Sequence, residues 1–226
     1  SDRRGYLGAD REGRPRRATA FPVLPIREAL RLQHPTDAHF TPYTLCFDGI
    51  SGPTPRCNKS ADEAIQGLGG ALLFSVLTLD CDDPATHGTG EPARDDWRRD
   101  WWRRVDAMPV PCAAYETRGG GRLVAELAEP IEAPTYFAAL AGFHAFAHDV
   151  GLRPDRLVDA QRCYRLPFVL RKGARQNYPA RLDVEPLSRD QQTALSRLGA
   201  LEPLQVARVP QKAPEPPRTR PAVTGK

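Results

Sequence analysis

The chain has 226 residues, of which 40% are hydrophobic and 27% charged, as in ordinary soluble globular proteins. This length is enough to bury a hydrophobic core and favours one domain, or one domain with a small appendage, over two full domains. The formal net charge of +4 suits an anionic partner, although the excess is too small to identify nucleic acid by itself.

Two features bear on where the protein works. The longest apolar run, Gly69 to Leu79, is far shorter than the ~20 residues that a membrane-spanning helix needs, and the first residues lack the pattern of a signal peptide. The five cysteines are scattered and include no Cys-x-x-Cys pair, which indicates free thiols rather than a disulfide framework or a zinc site. We therefore expect a cytoplasmic protein with no membrane contact.

The two ends differ in composition from the middle. Residues 1–20 contain six arginines and few apolar residues, which predicts a flexible basic arm. Residues 203–226 are rich in proline, as is typical of a semi-rigid linker or tail. The sequence therefore predicts one folded domain over residues 21–202, which includes a small N-terminal module.

Within this domain the hydrophobic pattern predicts strands and helices in turn. The first is Ala71 to Leu79, an apolar run that suits a buried central strand. From Pro92 to Val105, arginines lie between regularly spaced apolar residues, which is the pattern of a basic amphipathic helix. Two strands, Ala113–Thr117 and Arg122–Leu127, then follow on either side of a glycine turn at residues 119–121.

The second half of the domain continues in the same way. Pro134 to Val150 is an alanine-rich helical pattern with a glycine just beyond its end. A short segment at 157–159 and the run Tyr164 to Leu170 are predicted strands. Ser188 and Gln191 have the spacing of a capping box and predict a last helix. This order indicates an α+β fold, with a mostly antiparallel sheet flanked by helices.

Acidic residues end the most hydrophobic strand. Asp80 and Asp82 are two residues apart, so strand alternation points both carboxylates to one face and Cys81 to the other. Two neighbouring carboxylates repel each other unless a cation neutralises them, and oxygen ligands suit Mg²⁺ or Mn²⁺. The alternative is an ordinary acidic turn, in which these residues and Asp83 face water.

Two further motifs favour the metal site. One is Tyr115-Glu-Thr-Arg-Gly-Gly-Gly-Arg-Leu-Val124, and the other is Val158-Asp-Ala-Gln-Arg-Cys-Tyr-Arg-Leu-Pro167. The chain thus has an apolar strand ending in Asp-x-Asp, a glycine-rich turn between two strands, and an aspartate followed by Arg-Leu-Pro. In this order and spacing it resembles the archaeo-eukaryotic primase superfamily, and more narrowly the primase/polymerase domains of phage and plasmid replication proteins. The resemblance covers residues 69–173.

The resemblance implies an RRM-like catalytic core in which Asp80, Asp82 and Asp159 are catalytic and hold Mg²⁺ or Mn²⁺. Many members of the family place a histidine after the Gly-Gly-x stretch, where it contacts the incoming triphosphate. This chain has Arg122 there, accompanied by Arg118. Arginine is a bidentate, permanently charged phosphate donor, so the phosphate-binding role can survive the change, whereas a proton-transfer role cannot.

Residues around these motifs are candidates for binding nucleotides or nucleic acid. Glycines at the turn would let a phosphate approach backbone N–H groups, and basic residues beside the last strand would hold triphosphate or template. The helix at 92–105 would add charge and a stacking surface. The predicted nucleotide-binding residues are Arg118, Gly120, Arg122, Arg165 and Lys172. The predicted nucleic-acid-binding residues are Arg98, Trp102 and Arg171.

These features predict a template-dependent DNA primase/polymerase that joins nucleotides by two-metal nucleotidyl transfer. Its partners would be a single-stranded DNA template, nucleoside triphosphates and a fused or associated helicase. One alternative is a catalytically inactive domain of the same fold that binds nucleic acid or nucleotides. Another is a different Asp-x-Asp metal enzyme, such as a nuclease or a glycosyltransferase.

Overall fold

The computed structural model describes most of the chain, with gaps between its segments. The described residues are 6–9, 15–17, 25–35, 37–47, 50–52, 71–155, 164–171 and 173–201. Four helices lie in this part of the chain: α1 (Ile26–Arg31), α2 (Asp95–Val105), α3 (Ala133–Asp149) and α4 (Arg189–Leu201). None of them is long and apolar enough to cross a membrane.

A six-stranded antiparallel sheet forms the centre of the described structure, with the strand order β12-β7-β8-β6-β4-β5. Its strands are β4 (Tyr43–Phe47), β5 (Ile50–Gly52), β6 (Ala71–Asp82), β7 (Ala113–Glu116), β8 (Gly120–Glu132) and β12 (Ala180–Arg181). The remaining described strands form three short pairs. These are β1 (Tyr6–Ala9) with β2 (Pro15–Arg17), β3 (His39–Phe40) with β9 (Tyr164–Arg165), and β10 (Leu170–Arg171) with β11 (Ala174–Arg175).

The middle of the sheet is a split β-α-β unit. Strands β6 and β7 are joined by α2, and β8 lies between them and is antiparallel to both. The pairing places Asp80 opposite Arg122, and Arg122 opposite Tyr115. Side chains of paired residues lie on the same face of a sheet, so three functional groups from separate strands are brought into one row.

Helices α2, α3 and α4 cover one face of this sheet. Leu77, Leu79 and Cys81 of β6 point into a core that they share with Trp101 of α2 and Phe143 of α3. All of these side chains are at least 95% buried. Burial of such apolar side chains stabilises the fold by ~1.5–3 kcal/mol each, so this face forms the main core.

Helices α3 and α4 cross at very short range on that face. A Cβ atom added at Gly142 would overlap the Leu195 carbonyl, and one added at Gly199 would overlap the Ala138 carbonyl. Glycine is therefore needed at both positions, because the two helix backbones touch there.

On the opposite face, the early and late parts of the chain meet. His39 and Phe40 of β3 pair with Arg165 and Tyr164 of β9. Ile26 and Leu30 of α1, Val76 of β6, Tyr115 of β7, and Leu166 and Val169 form a second buried core there. This core covers part of the face and leaves the ends of β6, β7 and β8 open.

The predicted α+β class is confirmed, with an antiparallel sheet flanked by helices. Gly151 ends the alanine-rich helix with a positive φ of 82°, as expected for a C-terminal cap. The capping box also forms, since the Ser188 amide donates to the Gln191 side chain and the Gln191 amide donates to the Ser188 hydroxyl. The amphipathic helix begins at Asp95 rather than near Pro92.

One predicted strand was wrong, and others cannot be placed. The run Tyr164 to Leu170 is two short strands with different partners, because Pro167 interrupts it and lacks the N–H that a ladder requires. The predicted segment at 157–159 and the tail at 203–226 lie outside the described residues. Part of the predicted arm is described as the hairpin β1–β2.

Candidate active site

A cavity of about 240 Å³ opens on the uncovered face of the sheet. It is lined by Asp80 and Asp82 from the end of β6, and by Arg118, Arg122 and Arg165. All five residues were singled out from the sequence, where they belong to three motifs that are far apart. The fold brings these motifs together because β8 lies beside β6 and the chain after residue 164 returns to the same face.

Asp80 and Arg122 form a buried ion pair at the base of this cavity. Nη2 of Arg122 donates to both carboxylate oxygens of Asp80, each at 2.9 Å. Their side chains are 8% and 9% exposed, respectively. The pairing follows from the register of β6 and β8, in which the two residues are directly opposed. One positive and one negative charge therefore cancel inside the sheet, which lowers the cost of burying either.

The other terminal nitrogen of the same guanidinium, Nη1, is also hydrogen-bonded. Nη1 of Arg122 donates to the Arg165 carbonyl at 2.9 Å and to the Tyr115 hydroxyl at 3.3 Å. The Tyr115 hydroxyl donates in turn to the Arg165 carbonyl at 2.7 Å. The guanidinium carbon also lies 5.1 Å from the centre of the Tyr164 ring, which is a cation–π distance. Arg122 is thus fixed in place before any ligand arrives.

The structure gives Arg122 a partner that the sequence did not reveal. The sequence predicts Arg122 as the first residue of a strand after the glycine turn, with its guanidinium on phosphate; it lies within β8, and its guanidinium is paired with Asp80. Its Nε is buried and has no hydrogen-bond partner among the described residues. A ligand oxygen that reached this atom could accept a hydrogen bond from it. A phosphate contact by Arg122 therefore stays a prediction, and Nε is the atom expected to make it.

Asp82 is the more accessible of the two carboxylates, with 28% of its side chain exposed. Its Oδ2 is hydrogen-bonded to Nδ1 of His87 at 2.9 Å. Partial burial raises the pKa of Asp82, and the negative charges of Asp80 and Asp155 raise it further. Negative charge at this edge of the cavity is therefore incompletely compensated.

Asp83 has a different role from its two neighbours. It is completely buried and accepts hydrogen bonds from Nε of Arg94 at 2.9 Å and from the backbone amides of Arg94 and Ala85. These bonds, with that of the Arg94 side chain foremost, lower the pKa of Asp83 to about 2. The carboxylate fixes the loop between β6 and α2 and does not line the cavity.

Arg98 and Trp102, predicted to bind nucleic acid, both contact Glu116. Arg98 forms an ion pair with the Glu116 carboxylate and donates to the carbonyls of Thr117 and Arg118. The Trp102 indole N–H donates to Glu116 at 2.7 Å. The two side chains therefore support the hairpin from the helix side, and their contact with nucleic acid stays a prediction.

Arg118 and Gly120, the two predicted binding residues of the turn, differ in their surroundings. Arg118 is exposed and lines the cavity, so its guanidinium is accessible to a ligand. Gly120 begins β8, and a side chain there would collide with the backbone of Cys81 and Asp82. Close packing of two strands is therefore one reason for the glycine, and phosphate binding at Gly120 stays a prediction.

Several predicted residues cannot be placed. Asp159 and Lys172 lie outside the described residues. Arg171 lies in the short strand β10, which pairs with β11 rather than with the central sheet. Within the described ranges, no group of three or more His, Cys, Asp or Glu side chains is arranged to hold a metal ion. The two carboxylates of β6 have the donor chemistry for Mg²⁺ or Mn²⁺, but that part of the chain does not supply a complete set of ligands.

Sequence reasoning gave no role to several residues that line the cavity, among them Tyr115, Gln176 and Tyr178. Tyr115 belongs to a recognised motif, but only the strand register shows that its hydroxyl reaches Arg122. Gln176 and Tyr178 follow the last motif and have no pattern of their own. Asp155 was also missed, although its backbone amide donates to the Asp80 carbonyl at 2.8 Å.

Comparison with known proteins gives no further assignment, since no family model, curated protein or solved structure matches this chain.

Proposed function

We propose that this protein is a template-dependent primase/polymerase that transfers nucleotides from nucleoside triphosphates to a growing strand. The observation that carries the proposal is the cavity in which Asp80 and Asp82 meet Arg118, Arg122 and Arg165. Carboxylates suited to a divalent cation, next to arginines suited to phosphate, are what phosphoryl transfer requires. These residues are up to 85 positions apart in the sequence, and only folding brings them together.

The topology supports an RRM-like core for this function. The order β6-α2-β7-β8-α3, with β8 between the two strands that α2 joins, is the first part of a split β-α-β-β-α-β arrangement. Strand β4 takes the remaining place beside β6. In such a core the acidic strand is central, as β6 is here.

The residues of the cavity would act mainly by position and charge. Asp82, with Asp80 and the predicted ligand Asp159, would hold Mg²⁺ or Mn²⁺. When bound, the cations would activate the attacking 3′-hydroxyl and neutralise the departing pyrophosphate. Arg118 would bind the outer phosphates from the exposed rim, and the Nε–H of Arg122 would donate to a phosphate oxygen. Arg122 would also orient the Asp80 carboxylate through their ion pair.

One observation favours a second candidate function. Asp80 is already neutralised by Arg122, and a carboxylate in such a pair is a poorer cation ligand than a free one. A domain of the same fold that binds nucleotides or single-stranded nucleic acid without transferring them would also have this arrangement. The two candidates differ in whether nucleotides are incorporated.

Primer extension with an Asp82→Asn variant tests the proposal. The assay would use single-stranded DNA template, labelled nucleoside triphosphates and Mg²⁺ or Mn²⁺, with Mn²⁺ affinity measured in parallel by electron paramagnetic resonance. We expect loss of incorporation and weaker Mn²⁺ binding. Asp96→Asn is the matched control, since Asp96 is exposed and outside the cavity. Full incorporation by Asp82→Asn would contradict the site assignment. Nucleotide binding with no incorporation by the parent protein would favour the binding function.

A further inference from the structure

We propose that Tyr178 is the stacking platform for the base of the nucleoside triphosphate, with Gln176 beside it. This inference rests on the proposed function and adds a base-binding subsite to it. Both residues line the cavity and are partly buried, so their side chains are accessible from it. Neither belongs to a motif that the sequence revealed.

The strand register gives the distance between this subsite and the carboxylates. Asp82 pairs with Gly120, whose carbonyl accepts the amide of Thr117. The Glu116 amide donates to the Pro179 carbonyl, which places Tyr178 next to Thr117 at the following position. Asp82 and Tyr178 thus occupy the same row, three strand spacings apart, which is about 14 Å between backbones. A nucleoside triphosphate bound along this row would have its phosphates near Asp82 and its base near Tyr178.

The distribution of charge gives the ligand its direction. The charged groups Asp80, Asp82 and Arg122 lie on β6 and β8, towards the middle of the sheet. Tyr178 and Gln176 lie near the edge strand β12 and are uncharged, and the charged groups closest to Tyr178, Arg98 and Glu116, neutralise each other in an ion pair. Phosphates would therefore occupy the central end, and the base would lie towards the edge. An aromatic ring accepts any base, since every base has a stacking face, and a Gln side chain both donates and accepts hydrogen bonds.

The Tyr178 ring is supported before a ligand binds. The guanidinium carbon of Arg98 lies 5.8 Å from the centre of the ring. Arg98 is itself fixed by Glu116 and by the carbonyls of Thr117 and Arg118. A ring whose position is fixed in this way loses little entropy on stacking, which favours its use as a platform.

The test compares two anions that share a phosphate chain. Affinities for a nucleoside triphosphate and for inorganic tripolyphosphate, each with Ca²⁺, would be measured by calorimetry for the parent, Tyr178→Leu and Tyr178→Phe. We expect Tyr178→Leu to bind the nucleoside triphosphate about tenfold or more weakly and to bind tripolyphosphate unchanged. Tyr178→Phe should restore nucleotide binding. The matched control is Phe137→Leu, which removes a partly buried ring from the helical face.

Each outcome decides the inference. An equal loss for both anions would show a general disturbance of the cavity and would overturn it. No loss for either anion would overturn it as well, and so would a parent protein that binds the nucleoside triphosphate no better than tripolyphosphate. Primer extension by the parent protein is scored separately. A selective loss of nucleotide binding without any polymerase activity would keep the base subsite and reject the proposed function.

Discussion

At the scale of single residues, the Arg122 guanidinium is the most constrained charge in the cavity. Burial opposes its charged form, but Tyr115 and Asp80 outweigh this effect and the pKa of Arg122 is raised. It also bridges three strands, since its contacts belong to β6, β7 and β9. Its loss would therefore affect folding as well as ligand binding.

We predict that Arg122→Ala lowers the free energy of unfolding by about 3–5 kcal/mol, because it leaves the Asp80 carboxylate buried without its partner. Arg118→Ala is the matched variant, as it removes the same functional group from the exposed rim of the same cavity. It should change stability by less than about 0.5 kcal/mol while weakening nucleotide binding. Urea denaturation and calorimetry measure the two effects. Equal stability of the two variants would contradict the structural role of Arg122.

A second prediction concerns Asp83 and pH. Its pKa in the folded protein is about 2, below the ordinary value of 3.8, so the folded state binds fewer protons at low pH than the unfolded state does. The stabilisation by Asp83 is therefore complete above about pH 4 and is lost as the pH falls towards 2.

Asp83→Asn should lower the free energy of unfolding at pH 7 by about 1.5–3 kcal/mol, the range for hydrogen bonds to a charged group. The difference from the parent should shrink between pH 4 and pH 2, as followed by urea denaturation across that range. Asp96→Asn is the control, because Asp96 also lies near Arg94 but is exposed. A difference between parent and Asp83→Asn that does not vary with pH would show that the ionised carboxylate is not the cause.

Some features of the site could be predicted from the sequence, and others could not. The orientation of Asp80 and Asp82 follows from strand alternation, a local rule, and is confirmed by the burial of Cys81 on the opposite face. The pairing of Asp80 with Arg122 depends on which residues of two non-consecutive strands face each other. Periodicity contains no such information, so the ion pair between Arg122 and Asp80 was not predicted.

At the scale of elements, the long strand β6, the hairpin β7–β8 and helices α2, α3 and α4 were predicted because their patterns are local. Helix α1 and strands β4 and β5 were not, although β4 pairs with β6 and completes the sheet. Short elements such as these have too few residues to show a period. They are stabilised by contacts with distant parts of the chain.

The crossing of α3 and α4 yields a prediction that opposes helix propensity. Alanine is favoured over glycine in helices by about 1 kcal/mol, so propensity alone predicts that Gly199→Ala stabilises α4. We expect destabilisation of at least 1–3 kcal/mol instead, since the added Cβ would overlap the Ala138 carbonyl and force the helices apart. Ala200→Gly, at the exposed neighbouring position, should cost only about 1 kcal/mol. Thermal and urea unfolding of both variants would measure this, and a more stable Gly199→Ala would refute the close contact.

At the scale of the whole molecule, the predicted basic arm bears on affinity rather than on chemistry. Six arginines in residues 1–20 can neutralise phosphates without reading sequence. We predict that deleting residues 1–20 weakens binding to single-stranded DNA and reduces the slope of log affinity against log salt by up to about 4. Fluorescence anisotropy at several salt concentrations measures the slope. Incorporation at saturating DNA should be unchanged, and an unaltered slope would show that the arm does not contact phosphates.

The meeting of β3 with β9 also determines when the cavity can exist during synthesis. Chains emerge from the ribosome N-terminus first. Strand β3 can therefore pair with β9 only after more than a hundred further residues have been synthesised. The carboxylates of β6 can be in place once β8 has emerged, but the wall with Tyr178 and the edge strand β12 comes later. A nascent chain that stops short of residue 176 would therefore have the carboxylates of the site but lack the part of the cavity that Gln176 and Tyr178 line.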